Sequence, residues 1–133
     1  MSEAANVHRR LIELHPDLMA GRLDEALTLV DQEVIDHRGG AEGDHHGFAA
    51  WRAKWERMAA GPFRDVGLTV ERTLADGDVS VNRYTFAGPG YQVTGMDMIR
   101  VRDQKVVEHW AVLDTDAIRH QSAYSDGSSA RFA

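Results

Sequence analysis

The sequence contains no cysteine among its 133 residues, which excludes disulfides, thiol catalysis and cysteine-ligated zinc or iron–sulfur centres. A Gly-rich phosphate loop, a Gly-x-Ser-x-Gly elbow and a His-Glu-x-x-His pair are also missing, so nucleotide binding, triad hydrolysis and zincin chemistry lack support. The longest apolar runs span only a few residues, and the opening segment MSEAANVHRR has no apolar stretch. We therefore expect neither a signal peptide nor a membrane-spanning helix, and a cytoplasmic protein.

Clustered positive charge is absent as well. Fifteen Lys and Arg residues are scattered among 21 Asp and Glu residues, and the net charge is -6. Nucleic acid is not an expected partner, because its binding depends on clustered cations that release counterions. Hydrophobic residues make up 43% of the chain and charged residues 27%, as in a globular domain. We predict one domain over residues 1–120, closing with a short helix from Thr115, and a C-terminal tail over 121–133.

The first sixty residues have helical periodicity. Apolar residues recur at helical spacing from Asn6 to Val30, with an interruption predicted at Pro16 and an end of the first segment at Gly21. The glycine-rich stretch from Gln32 to Gly47 predicts a loop. A third helix should follow and stop before Pro62, with one apolar face made of Phe48, Trp51, Trp55 and Met58.

Beyond Pro62 the pattern alternates between apolar and polar residues, which predicts antiparallel strands. The first hairpin is expected to turn at Asp76-Gly77, so that Val70 opposes Arg83. The other face of this hairpin is polar and suits a wet subunit contact, from which we predict a homodimer. That face consists of Thr69, Glu71, Thr73, Ser80, Asn82 and Tyr84.

The second predicted hairpin runs from Val93 to Leu113, and its register decides which side chains meet. A two-residue loop would place Asp97 opposite Trp110, whereas a three-residue loop would place Asp97 opposite His109. We predict the three-residue loop, because it gathers the apolar residues on one face with Asp97 and His109 as the polar exceptions. Helices followed by antiparallel strands describe an α+β domain with the helices on one face of the sheet.

Two segments resemble a known family. VIDHRGGAEG, residues 34–43, and above all GMDMIRVRDQKVVEHWAVLD, residues 95–114, look like the SnoaL-like polyketide cyclases of the nuclear transport factor 2-like superfamily. The resemblance covers roughly residues 6–120. It implies a cone-shaped α+β fold in which N-terminal helices pack on a curved antiparallel sheet and enclose a pocket. The superfamily includes cofactor-free cyclases, ketosteroid isomerases, epoxide hydrolases and binding proteins, so it guides the activity only loosely.

The resemblance also suggests site residues. In the cyclases a His-Trp-Asp sequence on the last long strand supplies an Asp that acts as general acid and base in a cofactor-free aldol closure. This chain has His109-Trp110-Ala111 there, and a methyl group cannot transfer a proton. A second family histidine, on the adjacent strand, corresponds to Asp97, and the family's histidine at the pocket mouth corresponds to His37.

Asp97 and His109 are therefore the candidate catalytic pair. Asp97 would be a general base tuned by burial and by His109 or Arg83, and His109 would exchange protons near neutrality. The alternatives are a structural ion pair of Asp97 with Arg83 or Arg100, and a hydrogen-bonded core histidine. The pocket is expected to bind an apolar or aromatic small molecule through His37, Phe48, Trp51, Trp55, Arg83, Tyr91 and Ala111.

No metal or cofactor is predicted. Asp36, His37, His45 and His46 are ligand types, but the glycine-rich gap between them does not enforce ligand geometry. Three functions stay open: a cofactor-free acid–base enzyme (a polyketide cyclase-like enzyme, or a related isomerase or hydrolase) acting on a carbonyl-containing or polycyclic ligand, a non-catalytic binding protein that lost the family Asp at Ala111, and a non-catalytic assembly domain. The identity of the substrate does not follow from the sequence.

Overall fold

The structure is a computed structural model that describes residues 2–38, 43–61, 66–88 and 90–114. The helix predicted from Thr115, the C-terminal tail and the side chain of Tyr91 lie outside the described residues.

The helices of the described residues are α1 (Glu3–Glu13), α2 (His15–Met19), α3 (Asp24–Leu27) and α4 (Phe48–Ala60). Ser2 is the N-cap of α1, because its hydroxyl oxygen accepts the backbone N–H of Ala5. Pro16 lies in the first turn of α2, where a missing N–H breaks no hydrogen bond, and this confirms the predicted interruption. Gly61 ends α4. No helix in this part of the chain is long and apolar enough to cross a membrane.

Six strands in the described ranges form one sheet: β1 (Val30–His37), β2 (His45–His46), β3 (Gly67–Asp76), β4 (Val79–Gly88), β5 (Tyr91–Arg102) and β6 (Lys105–Leu113). Their order is β2-β1-β6-β5-β4-β3, and β1 runs parallel to β6 while the other neighbours are antiparallel. Strand β1 corrects the loop predicted from Gln32. The alternation was hidden because one of its inward positions holds the charged Asp36 rather than an apolar residue.

The helices cover one face of the curved sheet, as the α+β prediction requires. Inward-facing apolar residues of β1, β5 and β6 meet the apolar faces of the helices. The resulting core contains Val7, Leu14, Leu18, Leu23, Leu27, Trp51, Val34, Ile99, Val101 and Val106.

The first hairpin differs from the predicted register. Its turn is Gly77-Asp78, and Gly77 adopts a φ of 59°, a left-handed conformation that glycine takes without steric cost. A bulge at Glu71 then shifts the pairing by one residue, so that Val70 pairs with Tyr84 rather than Arg83. Arg83 consequently lies on the exposed side of β4, paired with Glu71.

The polar face proposed for a dimer is also corrected. Ser80, Asn82 and Tyr84 are buried within the chain, at 0%, 1% and 7% exposure. Oγ of Ser80 bonds Nδ1 of His8, and Oδ1 of Asn82 accepts the hydroxyl of Thr73, whereas Nδ2 of Asn82 has no hydrogen-bond partner among the described residues. Thr69 and the other β3 residues of that face are exposed. The homodimer itself stays a prediction.

In the second hairpin the predicted register is wrong. Asp103 and Gln104 form a two-residue turn, with φ values of 52° and 64°, and a bulge follows on β6 at Val107. Asp97 therefore pairs with Ala111, and neither Trp110 nor His109 lies directly opposite it.

The bulge nevertheless keeps the predicted faces over most of the hairpin. From His109 to Leu113 one extra residue in the ladder restores the parity that a three-residue loop would have had, so odd-numbered positions of the two strands share a face. Near the turn the prediction is wrong, because Val106 rather than Val107 pairs with Val101 and takes the buried position. Ile99 pairs with His109, and Asp97 lies diagonally across from that histidine on the helix-covered side.

Candidate functional site

A cavity of about 320 Å³ lies between the helices and the sheet, a volume within the range of small-molecule sites. Most of its wall is apolar or aromatic, and it includes Leu11, Leu18, Trp51, Trp55, Met58, Leu68, Phe86 and Leu113. Against this wall stands a set of ionisable side chains, His8, Asp36, Lys54, Asp97 and His109 among them.

Asp97 on β5 is held between two imidazoles. Its Oδ1 is 2.9 Å from Nε2 of His8 on α1, and its Oδ2 is 3.3 Å from Nε2 of His109 on β6. Nδ1 of His8 lies 2.8 Å from Oγ of Ser80 on β4. A neutral His8 can thus donate its Nε2–H to Asp97 and accept the Ser80 hydroxyl, which leaves both of its ring nitrogens satisfied.

His109 joins Asp97 to a second carboxylate. Its Nδ1 is 2.9 Å from Oδ1 of Asp36, which the parallel pairing of β1 with β6 places beside it. Both ring nitrogens of His109 thus face carboxylate oxygens, which can only accept, so each N–H of the ring has a partner in this network. The ring also meets Trp51 edge-on, with centroids 5.2 Å apart.

The second carboxylate, Asp36, also binds two cationic side chains. Its Oδ2 is 3.0 Å from Nζ of Lys54 on α4 and 3.1 Å from Nε of Arg38. The side chains of Asp36 and Lys54 are 5% and 9% exposed, so this is a buried ion pair. Nζ of Lys54 also lies 3.8 Å from the centre of the Trp51 ring, a cation–π contact.

The neighbours of each ionisable group set its pKa. Burial acts to raise the pKa of Asp36 and of Asp97. The opposing effects are larger: the hydrogen bond from His109 together with Lys54 for Asp36, and the hydrogen bond from His109 together with His8 for Asp97. Both pKa values are therefore held well below the usual range. Burial lowers the pKa of Lys54 to about 8, against the opposing effect of Asp36. Both carboxyl groups are thus ionised at neutral pH.

The structure brings together most of the residues predicted for the site. Asp97 and His109 are in contact, and Trp51, Trp55 and Ala111 line the cavity. Phe48 packs against the core instead of lining the cavity.

The cations considered as partners of Asp97 lie elsewhere. The neighbours of Arg83 on β4 point inward, and Arg83 itself points outward. Its guanidinium is therefore on the far side of the sheet and cannot reach Asp97. Arg100 bonds Asp78 and Glu108. The structural alternative of an Asp97–arginine ion pair is therefore wrong.

His37 borders the cavity, but its imidazole stacks on Trp110 with ring centroids 4.7 Å apart. Its Nε2 is 2.8 Å from Glu108 and its Nδ1 is 3.0 Å from Asp44, and these bonds, the one to Glu108 foremost, raise its pKa. His37 therefore fastens the segment before β2 to β6 rather than joining the Asp97 network.

Sequence reasoning missed His8, Asp36 and Lys54 as partners of the pair. His8 lies on the buried face of α1, and Lys54 lies one residue before Trp55 and three after Trp51 on α4. A polar residue among the buried positions of an amphipathic helix was the available indication. No group of three or more His, Asp or Glu side chains in the described ranges is arranged to hold a metal ion.

His15 is a buried histidine whose burial can be tested through the pH dependence of the free energy of unfolding. It is 7% exposed, burial lowers its pKa, and its Nε2 has no hydrogen-bond partner among the described residues. Below about pH 6.5 the unfolded chain takes up a proton that the folded state resists, so this residue should reduce stability as the pH falls.

We expect His15→Leu to lose less stability than the wild type between about pH 7 and 5, by urea denaturation. Parallel pH profiles would contradict this; His46→Gln, at an exposed position of β2, is the control.

Helices packed over a curved sheet, with a polar network inside an apolar cavity, are the nuclear transport factor 2-like fold. The family model of the SnoaL-like domain matches residues 9–109, and the chain belongs to that family. This confirms the resemblance seen in the sequence. A search of curated proteins found no significant match.

Solved structures show the same fold. IdmH, a proposed polyketide cyclase from Streptomyces antibioticus, is 24% identical with a TM-score of 0.71, over 92% of this chain and 99% of that one. A proposed SnoaL-like polyketide cyclase from Shewanella putrefaciens is 16% identical with a TM-score of 0.76, over 94% and 88%. A proposed ketosteroid isomerase from Kribbella flavida is 22% identical with a TM-score of 0.64, over 81% and 78%. At these identities the likeness concerns the fold.

Proposed function

We propose that this protein is a cofactor-free acid–base enzyme that removes a proton from the carbon beside a carbonyl group of an apolar ligand. The observation that supports this most is Asp97, an ionised carboxylate on the wall of a largely apolar cavity. Its side chain is 17% exposed, against 5% for Asp36, so it is the more accessible of the two carboxylates. Each of its oxygens keeps a lone pair beyond the histidine that it binds.

In the proposed step the C–H bond breaks, its proton goes to an oxygen of Asp97, and the electron pair moves to the carbonyl oxygen as an enolate. Return of the proton at another carbon is an isomerisation, and attack of the enolate on a second carbonyl is an aldol closure. His109 has both nitrogens engaged, so it acts as a positioning residue. The ammonium of Lys54 favours the developing anion.

The low pKa of Asp97 restricts the substrate. A weak base deprotonates only a carbon acid that is itself unusually acidic, such as a carbon between two carbonyls or between a carbonyl and an aromatic ring. Polyketide-like compounds contain such carbons, and two of the structural neighbours are proposed polyketide cyclases. An activated polycarbonyl or aromatic ketone is therefore the proposed substrate class.

Solvent deuterium exchange tests the proposal. Carbon 1 of 2-tetralone lies between a carbonyl and an aromatic ring, whereas the exchangeable carbon of 1-tetralone has only the carbonyl beside it. We expect the protein to accelerate exchange into 2-tetralone over the buffer rate, and into 1-tetralone much less, as followed by mass spectrometry. Equal exchange with and without the protein would overturn the proposal.

The second candidate is a binding protein without turnover. It is supported by the two histidines that already occupy the oxygens of Asp97, and by Ala111 in place of the family Asp. In that case 2-tetralone should quench the fluorescence of Trp51 and Trp55 without accelerated exchange. The third candidate, a domain with assembly as its only role, is not favoured, because the interior holds a cavity.

A further inference from the structure

Lys54 is one of only two lysines in the chain, and it lines the cavity. The other, Lys105, is exposed at the start of β6. A long cationic side chain normally extends to water, so a lysine that is 9% exposed inside an aromatic pocket calls for an explanation.

The surroundings of Lys54 combine one anion with aromatic faces. Nζ contacts Asp36 at 3.0 Å and lies 3.8 Å and 5.4 Å from the ring centres of Trp51 and Trp55. Burial disfavours the ammonium and lowers the pKa to about 8, so a large fraction of the amine is neutral in mildly alkaline solution. A neutral amine in an apolar pocket is the form of lysine that attacks carbonyl groups.

We propose that Lys54 is a nucleophile that condenses with aldehydes and ketones in this cavity and holds them as an imine. The nitrogen lone pair forms a bond to the carbonyl carbon, and the carbonyl oxygen leaves as water with both hydrogens of the neutral amine. The imine then takes one proton and becomes an iminium, with no net oxidation or reduction.

The product suits the site. An iminium keeps the positive charge that lies over Trp51, and it keeps one N–H that can donate to Asp36. The rest of the ligand replaces the hydrogens of an ammonium that is poorly hydrated in this apolar pocket. Imine formation takes place at a different residue from proton removal and does not depend on Asp97, although the ammonium form of Lys54 assists the step at Asp97.

Reductive trapping tests the proposal. The wild-type protein is incubated with benzaldehyde and sodium cyanoborohydride, whose hydride converts the imine into a stable secondary amine, and the labelled lysine is located by peptide mass spectrometry. At about pH 8 we expect Lys54 to be labelled at least about tenfold faster than Lys105. This comparison is internal to one molecule and needs no variant.

Two variants sharpen the result. Lys54→Arg keeps a cation for Asp36 but forms no stable imine, so the rapid labelling phase should disappear, whereas Lys105→Arg should retain it. Circular dichroism checks that each variant is folded. Labelling of Lys105 as fast as that of Lys54 in the wild type would overturn the proposal.

The same experiment separates this inference from the proposed enzyme activity. Asp97→Asn should retain rapid trapping at Lys54 while losing deuterium exchange into 2-tetralone. If Lys54 of the wild type is trapped but deuterium exchange into 2-tetralone is not accelerated, the imine proposal stands and the proton abstraction is rejected. If exchange is accelerated but Lys54 is not trapped, the proton abstraction stands and the imine proposal is rejected.

Discussion

Replacement of Asp97 by Asn is expected to lower the protein-dependent rate of deuterium exchange into 2-tetralone by about 100-fold or more, the range of a lost general base. The amide has nearly the same volume as the carboxylate but cannot accept the proton. The measurement is the exchange rate at saturating protein, with the buffer rate subtracted. Asp78→Asn is the matched control, because Asp78 bonds Arg100 on the far side of the sheet from the cavity, and it should leave the rate unchanged.

The partner substitution shows whether the network acts as one unit. His109→Gln removes the imidazole that joins Asp97 to Asp36 but keeps a group that can hydrogen-bond, so it should also slow exchange. Since His109 acts through Asp97, the double variant should be hardly slower than Asp97→Asn alone. Losses that multiply fully would show that the two residues act independently.

The sequence predicts the faces of the fold better than its registers. Alternation along β4 and β5 and the helical spacing around Trp51 follow from side-chain geometry, so they are readable in one chain. The bulges at Glu71 and Val107 each move a ladder by one residue without changing the composition, and no residue type marks them. The prediction that Asp97 and His109 share a face is confirmed because the bulge on β6 preserved the parity.

The remainder of the site depends on contacts between distant segments. His8 reaches Asp97 across 89 positions, and Asp36 reaches His109 across 73. The second contact needs the parallel pairing of β1 with β6, which was not predicted because the segment around Asp36 looked like a loop. The contact between Asp36 and Lys54 could therefore not be predicted, although each is an ionisable residue at a buried position.

The Asp36–Lys54 pair leads to the largest stability effect that we expect. Asp36→Asn leaves the buried Lys54 ammonium without its counter-charge and removes a partner of Arg38, so the free energy of unfolding should fall by about 3–5 kcal/mol. Urea denaturation at about pH 7, without ligand, measures the change. Asp78→Asn again serves as the control, since its ion pair with Arg100 is screened by solvent and should contribute little to the free energy of unfolding.

A second substitution should recover much of that loss. Lys54→Met removes the cation while its flexible thioether can still pack against Trp51 and Trp55, so the double variant with Asp36→Asn contains no unpaired lysine charge. We expect a coupling free energy of about 1–3 kcal/mol between the two sites.

Because the folded-state pKa of Asp36 is depressed, its contribution to stability is present above about pH 4 and lost as the pH falls further. The gap in the free energy of unfolding between wild type and Asp36→Asn should therefore narrow below that pH. Additive losses together with a gap that does not narrow below about pH 4 would mean that Asp36 stabilises the fold by its shape and hydrogen bonds rather than by its charge.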